Sequence, residues 1–178
     1  MVIWDARTAE RLFERSHESS ILAIAYGGTT GGLLSLASVD SHGIAKVWDA
    51  QTFALRREIK SYGVLTASDR ALGSAPGALN GTAFSQDGRF LVTAGTDLSI
   101  WEAATGARLR VLSGHGGLFA TSIRGDSRVI AVGGAGGFVG IFDCEVCLPM
   151  DELVKLATAR APRELTEQER KDILVAAP

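Results

Sequence analysis

The sequence predicts an all-β fold, a partial β-propeller of about three blades plus a half-blade, with a short C-terminal helical tail. One observation behind this prediction is a recurring triplet of an aliphatic residue, an aromatic residue and an acid. Its copies are Ile3-Trp4-Asp5, Val47-Trp48-Asp49, Ile100-Trp101-Glu102 and the degenerate Ile141-Phe142-Asp143. The other is the spacing of the aromatic residues, 44, 53 and 41 positions apart, which is typical of a four-stranded blade repeat. Such a unit buries its apolar face only against its neighbours, so the pattern favours a binding surface over a catalytic site.

The composition narrows the classes of partner. Of the 178 residues, 46% are hydrophobic and 21% charged, as in a globular domain with its own core. The 18 basic and 20 acidic residues leave a net charge of −2, which produces no field that would attract nucleic acid or a membrane surface. No apolar run approaches the roughly 20 residues that cross a bilayer. We therefore expect a cytoplasmic protein that binds neither nucleic acid nor membrane and needs no cofactor.

The half-blade and the first complete blade are predicted on either side of a short polar segment. After the first triplet and a turn, the half-blade continues as a strand over Arg11–Phe13. Three apolar runs bounded by polar and glycine residues then indicate strands, at Ile21–Tyr26, Leu33–Val39 and Ile44–Trp48. A glycine-rich turn at 27–32 separates the first two runs. Short strands that alternate with such turns indicate antiparallel structure.

The same order of strands recurs twice. The predicted strands are Leu79–Ser85, Phe90–Thr96 and Leu98–Trp101, and then Leu118–Ile123, Arg128–Val132 and Phe138–Phe142. Asp87-Gly88 lies between the first two of these runs and is a strong hairpin signal, because glycine takes a positive φ without steric cost.

Residues 1 to about 147 resemble the WD-repeat family of β-propellers. The resemblance is carried by the triplets, by the Gly114-His115 pair and by the turn Ser85-Gln86-Asp87-Gly88-Arg89. In that family a buried His, Ser or Thr, Asp and Trp form a hydrogen-bonded chain within a blade. The resemblance implies such a network here, with these members: His17, Ser35 or Ser38, Asp40 and Trp48, then Thr93, Asp97 and Trp101, and finally His115. The last unit has Gly136 and Phe142 where the family has Asp and Trp.

A helical extension is expected after the blades, so the chain divides into residues 1–147 and residues 148–178. Asp151–Ala157 has the apolar spacing of a helix, and Thr166 with Glu169 forms the capping box of a second helix. This arrangement resembles the C-terminal part of bacterial multidomain WD-repeat proteins of the STAND type. The resemblance implies a sensor segment of a longer protein.

The predicted strands do not close a ring, since propellers have about 4–8 blades. A half-blade, two full blades and a three-stranded unit leave strand edges open, and open edges promote association. Two interpretations remain open. The chain is part of a longer propeller, or it closes by pairing with another chain, including a second copy of itself.

Catalytic and metal chemistry find little support in the sequence. Cys144 and Cys147 could form half of a zinc site or a redox pair, but a structural zinc needs four ligands, and we expect two packed thiols instead. No Gly-x-Ser-x-Gly nucleophile elbow is present. We therefore predict no enzyme activity, no catalytic residues and no metal site.

An insert at 61–78 lengthens the second interval and is the candidate partner-binding segment, with Tyr62, Asp69 and Arg70 as its candidate contacts. The alternative is a linker in a degenerate repeat. The leading functional hypothesis is a non-catalytic protein-interaction scaffold that binds protein partners through its blade loops. The alternative hypothesis is a fragment or remnant of a larger bacterial WD-repeat protein without independent activity.

Overall fold

A computed structural model describes residues 1–15, 17–30, 33–61, 78–113 and 117–161. The chain divides into two compact units, Met1–Cys147 and Leu148–Pro178. The first unit is a set of antiparallel sheets and the second contains a short helix. The predicted fold, all-β with a partial propeller and a short helical tail, is confirmed.

Thirteen strands lie among the described residues and form four antiparallel sheets. The half-blade pairs β1 (Val2–Trp4) with β2 (Arg11–Glu14). Blade 1 contains, from one edge to the other, β3 (Ile21–Thr30), β4 (Leu33–Asp40), β5 (Ile44–Asp49) and β6 (Leu55–Lys60). Blade 2 contains β7 (Gly81–Phe84), β8 (Phe90–Ala94), β9 (Leu98–Glu102) and β10 (Arg108–Leu112). Blade 3 contains β11 (Leu118–Ile123), β12 (Val129–Gly134) and β13 (Val139–Asp143).

The acid of each of the first three triplets forms the turn into the next strand. The Oδ1 atom of Asp49 accepts the backbone N–H groups of Gln51 at 2.9 Å and Thr52 at 2.7 Å. The N–H four residues after the acid donates to its carbonyl at 2.8 Å in all three turns, from Ala9 to Asp5, from Phe53 to Asp49 and from Gly106 to Glu102. These three donors have φ angles of 56°, 56° and 77°, so only the glycine adopts the left-handed conformation without a steric cost. The acid is therefore a turn-forming residue.

The core lies between the blades. One cluster joins Val39 and Val47 of blade 1 to Leu91 and Trp101 of blade 2. Blades 2 and 3 share a second cluster in which Val92, Leu98 and Ile100 meet Leu118, Ile130 and Val132. A third, smaller cluster packs Ile3 of the half-blade on Leu36 and Trp48. Because each sheet buries one face against the next, the blades stabilise one another.

The second unit contains helix α1 (Met150–Arg160) among its described residues. Asp151 and Glu152 lie in its first turn and Arg160 in its last, which matches the signs of the helix macrodipole. The predicted second helix, with Thr166 and Glu169, lies outside the described residues. Within the part of the chain that the structure describes, no helix is long and apolar enough to cross a membrane.

Candidate functional site

Blade 1 holds a buried chain of hydrogen-bonded side chains. The indole Nε1–H of Trp48 donates to Ser38 Oγ at 2.8 Å. Ser38 Oγ lies 2.6 Å from Nε2 of His17, and Nδ1 of the same ring lies 3.2 Å from Asp40 Oδ2. The chain therefore joins the segment before β3 to β4 and β5. We call these four residues the blade-1 tie.

The chemistry of the side chains determines which group donates in each hydrogen bond of the blade-1 tie. An indole nitrogen only donates, whereas a serine hydroxyl both accepts and donates. Ser38 can thus accept from Trp48 and donate its own proton to His17 Nε2. The ring then carries its proton on Nδ1 and donates it to the carboxylate of Asp40. In this arrangement every donor of the three side chains has an acceptor, which is what buried polar groups require.

Asp40 is the acceptor at the end of the tie, and its side chain is buried. Its Oδ1 atom accepts the backbone N–H groups of His42 at 3.0 Å and Ile44 at 2.9 Å. Burial raises the pKa of Asp40, but the hydrogen bonds from Ile44, from the His17 ring and from His42 outweigh burial and hold the pKa below its ordinary value. The carboxylate therefore closes the β4–β5 turn and orients His17 at the same time.

The hydrogen bonds run from Ser38 through His17 to Asp40, in the order of a Ser–His–Asp hydrolase triad. The role of these residues here is structural. A triad serine must present a free oxygen to a substrate carbonyl. Here Ser38 is 0% exposed, its oxygen already accepts the Trp48 indole, and the His17 and Asp40 side chains are each 1% exposed. No substrate can reach the serine oxygen in this arrangement, and the tie acts as a clamp between strands.

Of the two candidate serines, Ser38 belongs to the tie and Ser35 does not. Ser35 is also buried, but its Oγ accepts from Nη1 of Arg56 at 3.4 Å. The register explains the difference: Leu36 pairs with Trp48, whereas Ser35 pairs with Asp49. Side chains alternate between the faces of a strand, so Ser38 shares the Trp48 face and Ser35 lies on the other face.

Blade 2 contains a shorter version of the same contact. The Trp101 indole donates to Thr93 Oγ1 at 2.9 Å, and both side chains are buried. Asp97 is half-buried, and within the described residues no hydrogen bond joins its carboxylate to Thr93 or Trp101. Its carbonyl accepts from the N–H of Gly95 at 3.1 Å. The predicted member of blade 3, His115, lies outside the described residues.

The first triplet differs from the others in burial. Trp48 and Trp101 are each 3% exposed, whereas Trp4 is 59% exposed. The half-blade has two strands, and among the described residues it lacks the pair of inner strands on which the indole would be covered. The same residue in the same triplet therefore lies in the core of blades 1 and 2 and at the surface of the half-blade.

A cleft of about 190 Å³ lies between blades 1 and 2, and its lining residues are Ser35, Val47, Arg56, Arg57, Ala103 and Ala104. Arg57 reaches across the cleft and donates from Nη2 to the carbonyl of Ala104 at 2.9 Å. Arg56 pairs with Asp49. The N–H of Thr52, the Arg56 guanidinium and the N–H of Gln51 lower the pKa of Asp49. The cleft thus combines an apolar floor with the exposed guanidinium of Arg57, a surface suited to an acidic side chain or a C-terminal carboxylate.

Sequence reasoning missed this cleft, because adjacent arginines in an outer strand give no distinctive signal. The insert that it proposed instead, with Tyr62, Asp69 and Arg70, lies outside the described residues.

Cys144 and Cys147 are joined by a disulfide. This corrects the expectation of two packed thiols: the residues are packed and buried, but they are bonded. The Cys147 N–H donates to the Cys144 carbonyl at 3.0 Å, so the short turn brings the two side chains together. In the part of the chain that the structure describes, no cluster of three or more His, Cys, Asp and Glu side chains could hold a metal ion.

The lowered pKa of Asp40 predicts loss of stability in acid. A carboxyl group whose pKa is lower in the folded state contributes stability above its unfolded pKa, and that contribution is lost as the pH falls through the folded pKa. We expect the free energy of unfolding to decrease below about pH 4, the ordinary range of an aspartate. Urea unfolding between neutral and acid pH should show a shallower decrease in Asp40→Asn than in the wild type.

Asp151→Asn, in the exposed first turn of α1, is the matched control and should keep the wild-type slope. Equal slopes in Asp40→Asn and the wild type would show that Asp40 does not govern the acid response.

Comparison with known proteins gives a distant and partial similarity. No protein-family model matches the chain. Over 115 residues, 63% of this chain, it is 31% identical to the nuclear distribution protein PAC1 of Arthroderma benhamiae and to that of Trichophyton verrucosum. The corresponding protein of Arthroderma otae is 30% identical over the same length. The matched region is 23% of each relative, so the chain spans less than a quarter of the length of these curated relatives.

Proposed function

We propose that this chain is a segment of a WD-repeat β-propeller and acts as a non-catalytic scaffold that binds protein partners through its blade loops. One observation carries the proposal. The Ser–His–Asp arrangement of blade 1 is buried and hydrogen-bonded to Trp48, so among the described residues the polar groups open to a partner lie in the turns and in the cleft between blades 1 and 2. Such a distribution supports recognition, since loops held on a rigid scaffold are common binding sites.

The similarity to nuclear distribution proteins supports the same view, because their name denotes a cellular process and no reaction. Partner identity does not follow from it, since propeller folds host many functions. In our proposal residues 1–147 are the scaffold and residues 148–178 an extension. The resemblance to bacterial STAND-type proteins supports a cytoplasmic sensor segment.

The cleft is the described surface that we propose for a partner. Arg57 is exposed and lies beside the apolar side chains of Val47 and Ala103. Its contact with the Ala104 carbonyl holds the guanidinium at the blade junction. A partner with an acidic residue next to an apolar one would match this surface. The insert residues Tyr62, Asp69 and Arg70 remain a second candidate contact.

Site-specific photo-crosslinking tests the proposal. A photoreactive residue at position 57 should form a discrete adduct with a protein partner in the expressing cell. The same residue at position 109, exposed on β10 outside the cleft, should not. Position 69 tests the insert in the same way. Once the partner is identified, Arg57→Glu should weaken its binding by at least about tenfold, as expected for a central interface arginine. Identical labelling at positions 57, 69 and 109 would overturn the proposal.

The alternative hypothesis is a remnant of a larger protein without independent activity. The crosslinking experiment separates the two, because a remnant would give no adduct that depends on position.

A further inference from the structure

The cleft between blades 1 and 2 carries a positive charge that no acid among the described residues neutralises. Arg56 is paired with Asp49, whereas Arg57 forms no ion pair within the part of the chain that the structure describes. The hydrogen bond of Arg57 in this part runs from Nη2 to the Ala104 carbonyl at 2.9 Å. A guanidinium group has five N–H donors, so Arg57 can still bind an acceptor from another molecule.

A second donor lines the same cleft. Ser35 is 4% exposed, and its Oγ accepts from Nη1 of Arg56 at 3.4 Å. No acceptor for the hydroxyl proton of Ser35 lies among the described residues. Because a buried donor without an acceptor is unfavourable, a ligand that brings an oxygen atom to Ser35 supplies a hydrogen bond that these residues do not make.

The apolar part of the cleft lies on the strand between the two donors. Arg57 pairs with Val47 in the β5–β6 register, and Ser35 pairs with Asp49, two residues after Val47. Paired residues share a face, and side chains alternate along a strand, so Ser35, Val47 and Arg57 lie on one face of blade 1. Ala103 of blade 2 lines the same cleft and is buried with Val47 in one cluster.

The Arg57 side chain is held in place within the protein itself. Its head group is hydrogen-bonded to Ala104. Its stem lies against Gly106, since a Cβ atom at this glycine would be 3.4 Å from Arg57 Cδ. A group that is already ordered loses less conformational entropy when a ligand binds. The guanidinium is therefore prepared for a carboxylate, which arginine binds with two parallel hydrogen bonds.

The volume of the cleft limits what can enter it. A cavity of about 150 Å³ takes up one benzene molecule, and this cleft measures about 190 Å³, so it has room for one apolar side chain and a carboxylate beside it. An internal aspartate or glutamate supplies only the charge and needs a second residue for the apolar contact. A C-terminal valine or leucine carries the carboxylate and the apolar side chain on one Cα atom.

We propose that the cleft binds the C-terminal carboxylate of a partner protein whose last residue is apolar. The carboxylate pairs with the Arg57 guanidinium, and the last side chain packs on Val47 and Ala103. The Ser35 hydroxyl donates to a carboxylate or carbonyl oxygen of the same segment. This inference rests on the proposed function, because it names the chemistry of the partner that the scaffold binds.

Fluorescence anisotropy of labelled octapeptides with the full chain is the test. The probe is a peptide that ends in leucine with a free carboxylate. We expect the same peptide with a C-terminal amide to bind at least about tenfold more weakly, because the amide removes the charge that pairs with the guanidinium. A third peptide carries the amide and an internal glutamate next to leucine, and it should bind as weakly as the simple amide.

Two variants and a matched control locate the binding. Arg57→Gln should weaken the free-carboxylate peptide by at least about tenfold, and Ser35→Ala should weaken it to a smaller extent. Both variants should keep the circular dichroism spectrum of the wild type. Arg108→Gln is the control, because Arg108 is also exposed and also donates to a backbone carbonyl, that of Ser61 at 3.2 Å, but does not line the cleft. It should bind the peptide like the wild type.

Three results would overturn the inference: equal binding of the free and amidated peptides, equal weakening by Arg57→Gln and Arg108→Gln, or tight binding of the peptide with internal glutamate, which would assign the cleft to acidic side chains. The proposed function is tested separately by the crosslinking experiment. A position-dependent adduct without carboxylate-dependent peptide binding would support the scaffold and overturn this inference. Carboxylate-dependent binding without any adduct would support the chemistry of the cleft and contradict the scaffold role.

Discussion

Trp48→Ala should lower the free energy of unfolding by about 3–5 kcal/mol, the range for deleting a large buried aromatic side chain. Trp48 is 3% exposed, packs with Leu36 and Ile3, and donates its indole N–H to Ser38. The substitution leaves a cavity between the half-blade and blade 1 and also removes the donor at the start of the blade-1 tie. Urea unfolding measures the loss.

Trp4→Ala is the matched control, since it changes the same residue type in the same triplet at a position that is 59% exposed. Its effect on the free energy of unfolding should be much smaller. Trp101→Ala should resemble Trp48→Ala, because Trp101 is buried to the same extent and donates to Thr93. A Trp48→Ala variant that unfolds like the wild type but no longer binds a partner would assign this residue to recognition and contradict its structural role.

Asp40→Ala should cost about 2–4 kcal/mol, because it leaves buried donors without an acceptor. The donors are the ring N–H of His17 and the backbone N–H groups of His42 and Ile44. Losing these three hydrogen bonds should open the β4–β5 turn and release His17 from the blade-1 tie. Thermal and urea unfolding at neutral pH, where the carboxylate is charged, measure the effect.

Asp40→Asn removes the charge of the side chain but nearly keeps its shape. An amide oxygen can still accept the two backbone N–H groups, so we expect a smaller loss than for alanine. Asp126→Ala is the surface control: its carboxylate pairs with Arg124 in an exposed turn, where an ion pair is screened and contributes little. If Asp126→Ala destabilised the protein as much as Asp40→Ala, burial of the acceptor would not be the cause.

Local pattern alone determined most of the strand order in this protein. The aromatic–acid triplets mark the ends of β1, β5, β9 and β13, because in the first three of them the acid accepts the hydrogen bonds of the turn that ends the strand. Leu118–Ile123 was predicted with its observed bounds. The glycine-rich stretch at 27–32 carries no apolar pattern and predicts a turn. In the structure β3 continues through it to Thr30. The outer strands β6 and β10 are rich in arginine and had no bounds in the sequence prediction, since strands with a solvated face carry little apolar pattern.

Only the tertiary structure decided how each repeated residue is used. Ser35 and Ser38 are equivalent in composition, and the β4–β5 register alone places Ser38 on the face of Trp48. The cleft between blades 1 and 2 likewise depends on which sheet faces meet. The triplet likewise makes Trp4 and Trp48 equal in sequence, yet one is exposed and the other is buried. The physical reason is that the packing of one sheet on another decides burial. The sequence of a strand determines which side chains share a face, but the neighbouring blade determines which face is buried.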